Sequence, residues 1–183
     1  MLLLGLLATG CAHSPARGDA GMAAGQGEQA LEDGLTALDR TVLRHEARQV
    51  ANCAIEESRQ LAREYRVVQP AIFHNFLVNV GLKKRGLCHQ WADDLLVKLQ
   101  ALPLSTLEVR WGMARAGTLR EHNALIITAR RQPFEDGIVL DAWRRSGRLV
   151  WLPVKDDHYP WVEGELVAGP TPVAAPHSRA ATP

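Results

Sequence analysis

The feature that most constrains how this chain folds is a change in its hydrophobic period at Pro103. Before it, apolar residues recur at helical spacings: Leu31, Leu35, Leu38 and Val42, then Val50, Ala54, Leu61 and Tyr65, with Arg44, Glu46, Arg48, Glu56, Glu57 and Arg63 between them. The pattern predicts one long amphipathic helix, or two with a break near Arg44. Pro70 suits the first position of another helix, with Ile72, Phe73, Phe76, Leu77 and Val80 as its apolar face and Gly81 fitting the cap beyond its end. A further helix follows Gly86, with Trp91, Leu95, Leu99 and Leu102 as core stripe and Asp93, Asp94, Lys98 and Gln100 turned to water. After Pro103 the period becomes two: Leu107, Val109, Trp111 and Met113 alternate with Glu108, Arg110 and Gly112, the signature of a half-buried strand. Residues 123–129 (NALIITA) are almost continuously apolar, as in a central strand buried on both faces, and 137–143 (GIVLDAW) and 148–152 (RLVWL) read as two more strands. Helices first and strands later imply an α+β fold, with N-terminal helices packed on an antiparallel sheet.

At 183 residues the chain has room for one ordinary domain, and 46% hydrophobic against 22% charged residues marks a core-forming body. That body is expected over 30–166. Lys and Arg number 21 against 20 Asp and Glu, so no global field favours nucleic acid, and none is expected as a partner. The longest apolar run falls far short of the ~20 residues of a membrane-spanning helix. Residues 12–29, rich in Gly and Ala without apolar periodicity, read as a flexible linker, and 167–183, which include GPTPVAAPHSRAATP, as a disordered tail. At the start, Met1 to Ala8 (MLLLGLLA) leads into Thr9-Gly10-Cys11, which resembles a bacterial lipoprotein signal ending in a lipobox. The resemblance implies that 1–11 are signal and lipobox and that Cys11 becomes the acylated first residue of a periplasm-facing lipoprotein of the cell envelope. Membrane contact would then run through that lipid anchor. A signal-like leader with an incidental cysteine is the alternative.

Cys88 falls at the expected start of a helix, in Gly86-Leu87-Cys88-His89-Gln90-Trp91-Ala92, where unpaired backbone N–H groups and the helix dipole favour a thiolate. His122 opens the central strand and Asp141 lies within the next. If these strands pair as a hairpin, imidazole and carboxylate can meet across the ladder. In such a site His122 takes the thiol proton and later returns it to the leaving group, while Asp141 holds the imidazole in the right tautomer. The backbone N–H of Cys88 supplies half of an oxyanion hole.

The order of Cys on a helix start, then His and Asp on successive strands, together with Gly86-x-Cys88-x-x-x-Ala92, His122 before an apolar strand and Leu140-Asp141 after one, resembles the transglutaminase-like branch of the papain-like cysteine peptidases. The similarity covers about Gly81 to Trp151, with 34 residues from Cys88 to His122 and 19 from His122 to Asp141, and the bacterial periplasmic members are the nearest subgroup. It implies Cys88 as nucleophile, His122 as base and Asp141 as orienter, on a papain-like/transglutaminase-like core acting through a thioester on a protein or peptide substrate, peptidoglycan included. Peptidoglycan hydrolases of the NlpC type share this logic but usually carry Asp-Cys-Ser at the nucleophile, where this chain has Leu87-Cys88-His89. The contrasting class is a non-catalytic envelope lipoprotein that uses the same fold for binding or scaffolding.

Several residues have two readings. Cys53 reads as a small core residue of its helix, but in an oxidising compartment it is also a disulfide partner for Cys88. Asn75 and Asn79 are candidates for the second oxyanion donor, or simply a solvated pair. His89 should point away from Cys88, because consecutive helical residues diverge by ~100°. Lys83-Lys84-Arg85 and Arg144-Arg145 with Arg148 are solvated or bind an acidic substrate group; Trp143, Trp151, Tyr159 and Trp161 are core or line a groove. With no CxxC pair, no HExxH and no EF-hand spacing, neither a metal nor any other cofactor is expected.

Overall fold

The computed structural model describes residues 24–166. The expected signal and lipobox at 1–11, with Cys11, and the tail at 167–183 lie outside them. Four helices, α1 (Ala24–Thr36), α2 (Arg44–Glu64), α3 (Ala71–Asn79) and α4 (Cys88–Gln100), precede five strands, β1 (Leu107–Ala114), β2 (His122–Ala129), β3 (Ile138–Asp141), β4 (Val150–Pro153) and β5 (Trp161–Gly164). The strands form one antiparallel sheet in the order β4-β3-β2-β1-β5, so the fold is α+β, as the change of period implies. The break near Arg44 is real, with α2 beginning there. Helix α1 starts at Ala24, inside the stretch read as linker at 12–29.

The central strands β2 and β3 are buried on both faces, because elements pack on both sides of the sheet there. On one side α4 packs against β2 and β1, α2 lies on α4, and α1 on α2. Leu31, Leu35, Val50, Ala54, Leu95 and Leu99 meet Leu107, Leu125, Ile127 and Leu140 there in the main core. On the other side Ala124, Ile126 and Val139 are covered by Phe134 and Val154, from the segments that follow β2 and β4, and by Trp161 at the start of β5. Strand β5 was not legible: only four residues long at the sheet edge, its outward Val162 and Glu163 are exposed and carry no alternation.

Two expectations about the helices fail. The apolar face assigned to α3 points to solvent, with Ile72, Phe73, Phe76 and Val80 exposed; the residues α3 buries are Ala71 and His74. Periodicity found the face but not what covers it, and here two buried hydrogen bonds of His74 set the rotation of the helix (below). Glu46, placed among the polar residues of α2, is buried, and its carboxylate accepts from Ser105 N (2.9 Å), Thr106 N (2.9 Å), Ser105 Oγ (2.5 Å) and Thr106 Oγ1 (2.7 Å). That carboxylate caps the loop that turns the chain from α4 into β1.

Candidate active site at the start of helix α4

The loop before Cys88 is held from both ends. Gln90 Oε1 accepts from Gly86 N (2.7 Å) and Leu87 N (3.1 Å), and Trp91 Nε1 donates to Gly86 O (3.0 Å). His74 Nδ1 accepts from Val68 N (3.2 Å), which leaves Nε2 to donate to Arg85 O (2.9 Å). Gly86 passes so close to this ring that a Cβ would stand 2.3 Å from His74 Nε2, and its φ of +131° also requires glycine. The glycine two before the cysteine is therefore dictated by the packing. Arg85 holds Asp94 through Nε (3.0 Å) and a second guanidinium nitrogen (2.6 Å), and Tyr65 donates its hydroxyl to the same carboxylate, which ties α4 to the end of α2. Asp94 thus anchors the helix instead of facing water.

The geometry brings Cys88, His122 and Asp141 together. Strands β2 and β3 pair with Leu125 opposite Leu140, so Asp141 follows one step on, diagonal to His122 and on its face of the sheet. His122 Nε2 lies 2.6 Å from Asp141 Oδ2, both side chains almost completely buried. The other ring nitrogen, Nδ1, is buried with no hydrogen bond closed. Burial pushes the Cys88 thiol up, but the imidazoles of His122 and His89 and the backbone N–H of Asn123 outweigh it and hold the thiol at about 6. Burial pulls His122 down, and Asp141 and the Cys88 thiolate overcome that, raising it to about 9. A thiolate beside an imidazolium is the resting state these shifts describe.

Around the pair the structure adds Asn123, which the sequence did not single out, and gives Arg144 a partner on each side of it. Asn123, next to His122 but on the opposite face of β2, sends Nδ2 toward Cys88 Sγ (3.9 Å) and donates to Glu121 Oε1 (3.3 Å). Its Oδ1 accepts from Trp111 Nε1 (3.0 Å); an indole only donates, so this bond fixes which end of the amide faces the sulfur. The first two residues of β2 thus straddle the thiol. Asp141 also accepts from Arg144 N (3.0 Å, to Oδ1) and Arg144 Nε (3.0 Å, to Oδ2), while the Arg144 fork grips the buried Asp157 at 2.7 and 3.2 Å. Trp161 Nε1 donates to Asp157 Oδ2 (3.0 Å). Arg144 is thereby committed inward. The sequence alone leaves Arg144 solvated or on an acidic substrate group; the structure instead spends its guanidinium on Asp141 and Asp157.

The remaining expectations sort by distance. Trp143, Tyr159 and Trp161 pack around the His122 ring, with centroids 4.8, 4.6 and 5.4 Å away, and shield its bond to Asp141 from water. Asn75 accepts from Trp143 Nε1 (2.9 Å), so its oxygen holds this shield, while Asn79 is exposed at the end of α3. His89 and the Cys88 thiol shift each other, the thiol raising the imidazole and the imidazole lowering the thiol. The ~100° between neighbours leaves room for this at a helix start, where no preceding turn crowds the side chain. Cys53 is half-buried against the main core, and both it and Cys88 are free thiols.

Comparison with known proteins adds no family. No family model, curated protein or solved structure matches the chain. Among the described residues no group of three or more His, Cys, Asp or Glu is arranged to hold a metal ion, and no helix is long and apolar enough to cross a membrane.

Proposed function

We propose that this chain is a thiol enzyme of transglutaminase-like or papain-like type, in which Cys88 attacks an amide carbonyl and His122 and Asp141 manage the proton. The observation that carries the reading is the division of labour on His122: Nε2 is spent on Asp141, and Nδ1 is buried without a partner beside a thiol held near pH 6. The Cys88 sulfur forms a bond to the carbonyl carbon while the carbonyl electrons move to oxygen, next to the free N–H groups of the first turn of α4. As the C–N bond breaks, the Nδ1 proton passes to the leaving amine. The thioester is then cleared by water or by an acceptor amine, each deprotonated by His122. The substrate we propose is a protein or peptide, peptidoglycan included, met at the envelope by a lipoprotein anchored through Cys11.

Iodoacetamide alkylation of the folded chain from about pH 5 to 9, located by peptide mass spectrometry, tests this directly. Cys53, whose thiol burial pushes up, is the internal control. Cys88 should react well below pH 7 while Cys53 does not, and His122→Ala should remove the acid reactivity. An unchanged profile in His122→Ala would end the ion-pair reading and favour a scaffold role for the fold.

A further inference from the structure

We infer that helix α3 and the turn after it form an interfacial surface that seats the domain on an anionic lipid bilayer. Ile72, Phe73, Phe76 and Val80 fall within about a third of a turn of one another on α3, and Leu82 extends the patch; these five large apolar side chains are between 43% and 72% exposed. The Phe73 and Phe76 rings stack on each other, centroids 6.3 Å apart, so the patch presents a preformed aromatic ridge. The opposite side of α3 is fixed to the body through His74 and through Asn75 on Trp143, so the apolar face is held outward and does not fold back.

The charge around this ridge decides the occupant. No acidic residue occurs between Glu64 and Asp93, whereas Arg66, Lys83, Lys84 and Arg85 all fall in that stretch. Arg85 is paired with Asp94; Arg66 and Lys84 are exposed, and Lys83 donates to the backbone oxygen of Arg66 (2.8 Å), which keeps the cations beside the apolar ridge. Exposed apolar and aromatic side chains bordered by cations match the interface of a bilayer with anionic headgroups, where the rings enter the acyl boundary and each cation near the surface adds attraction. A second copy of the same face fits less well, because symmetric pairing would bring like cations together. This surface does not depend on the activity of Cys88 or on acylation of Cys11, yet through His74 against Gly86 it lies one contact from the nucleophile loop.

The test is co-sedimentation of the full chain carrying Cys11→Ser, which cannot be acylated, with vesicles of phosphatidylethanolamine and phosphatidylglycerol. The parent is compared with Phe73→Ser/Phe76→Ser and with Lys83→Glu/Lys84→Glu in the same background, so any contribution of residues 1–11 is common to all three. Both double variants should lose at least about tenfold in partitioning, the phenylalanine pair with the melting temperature and Cys88 alkylation profile unchanged, and added salt should narrow the gap for the lysine pair. Equal binding by parent and phenylalanine variant overturns the proposal. So does an equal phenylalanine effect on neutral phosphatidylcholine, which removes the anionic partner. Parent self-association that the phenylalanine variant loses, without vesicle binding, assigns the face to a second copy instead.

Discussion

The Nε2 of His122 lies 2.6 Å from the Oδ2 of Asp141, inside a shell of Trp143, Tyr159 and Trp161 and with Arg144 Nε donating to the same oxygen. The relationship follows from strand register: once Leu125 pairs with Leu140, histidine and aspartate share a face at the end of the ladder. Burial makes the bond strong, because water neither competes for the carboxylate nor screens the imidazolium. It also fixes the free nitrogen as Nδ1, the one near the thiol.

Thiolate and imidazolium coexist between about pH 6, where Cys88 loses its proton, and about pH 9, where His122 does. A rate that needs both forms is flat in that window and falls on either side. Asp141→Asn keeps the shape but removes the charge that raises His122, so the alkaline limb should move toward neutral pH and the rate at pH 8 should drop at least about tenfold. A pH profile of Cys88 acylation by an amide substrate, whose leaving amine needs the imidazolium proton, checks this; an unmoved alkaline limb would show that Asp141 does not set the imidazole.

Asn123 bears on the sulfur through its backbone N–H and its side-chain amide. Asn123→Ala keeps the backbone N–H and removes only the amide at 3.9 Å, so the midpoint of Cys88 alkylation should rise by about a few tenths of a unit. Trp111→Phe, which frees the amide to turn, should give a smaller shift of the same sign. Measured midpoints separate this from a purely structural role, which would lower the melting temperature and leave the midpoint in place.

Arg144 joins two buried carboxylates, Asp141 and Asp157, whose side chains are 1% and 0% exposed. Removing it in Arg144→Met takes the shared cation from both, leaving Asp141 to His122 and Asp157 to the Trp161 indole, and urea unfolding should show a loss of roughly 3–5 kcal/mol. Arg144→Lys keeps a charge without the fork that bridges the pair, and should recover only part of the loss. Full recovery by lysine would mean that charge alone matters here.

Glu46 is held at about 2: burial pushes its carboxyl up, and the hydrogen bonds from Ser105 and Thr106 outweigh it. Its folded pKa is depressed, so its contribution to stability is complete above the unfolded value of ~4.5 and is lost as pH falls through about 2. At neutral pH Glu46→Gln should cost roughly 2–3 kcal/mol in urea unfolding, and the gap from the parent should shrink as pH falls from about 5 toward 2. A gap that stays constant with pH would assign the loss to packing alone.

Much of the architecture was legible because period reports which residues share a face. Spacing left open whether the first helix breaks near Arg44, but the helix start at Cys88 and the run of β2 followed from spacing, capping and the switch at Pro103. So did the pairing of His122 with Asp141, since two adjacent strands joined by a short connection pair as a hairpin. Strand β5 escaped, because four edge residues carry too little alternation, and α1 began earlier than its apolar stripe suggests.

By itself the sequence determined the α+β order and which side chains could supply a nucleophile, a base and a carboxylate. Only the tertiary structure decided which way α3 turns its apolar face, that Glu46 is buried, that Arg144 faces inward and that His89 and Asn123 reach the sulfur. The physical reason is that periodicity fixes a residue's face locally, whereas the cover of that face and the partner of a polar group come from distant segments. Glu46 meets Ser105 and Thr106 across nearly 60 residues and Trp143 meets Asn75 across 68, contacts that no local pattern encodes.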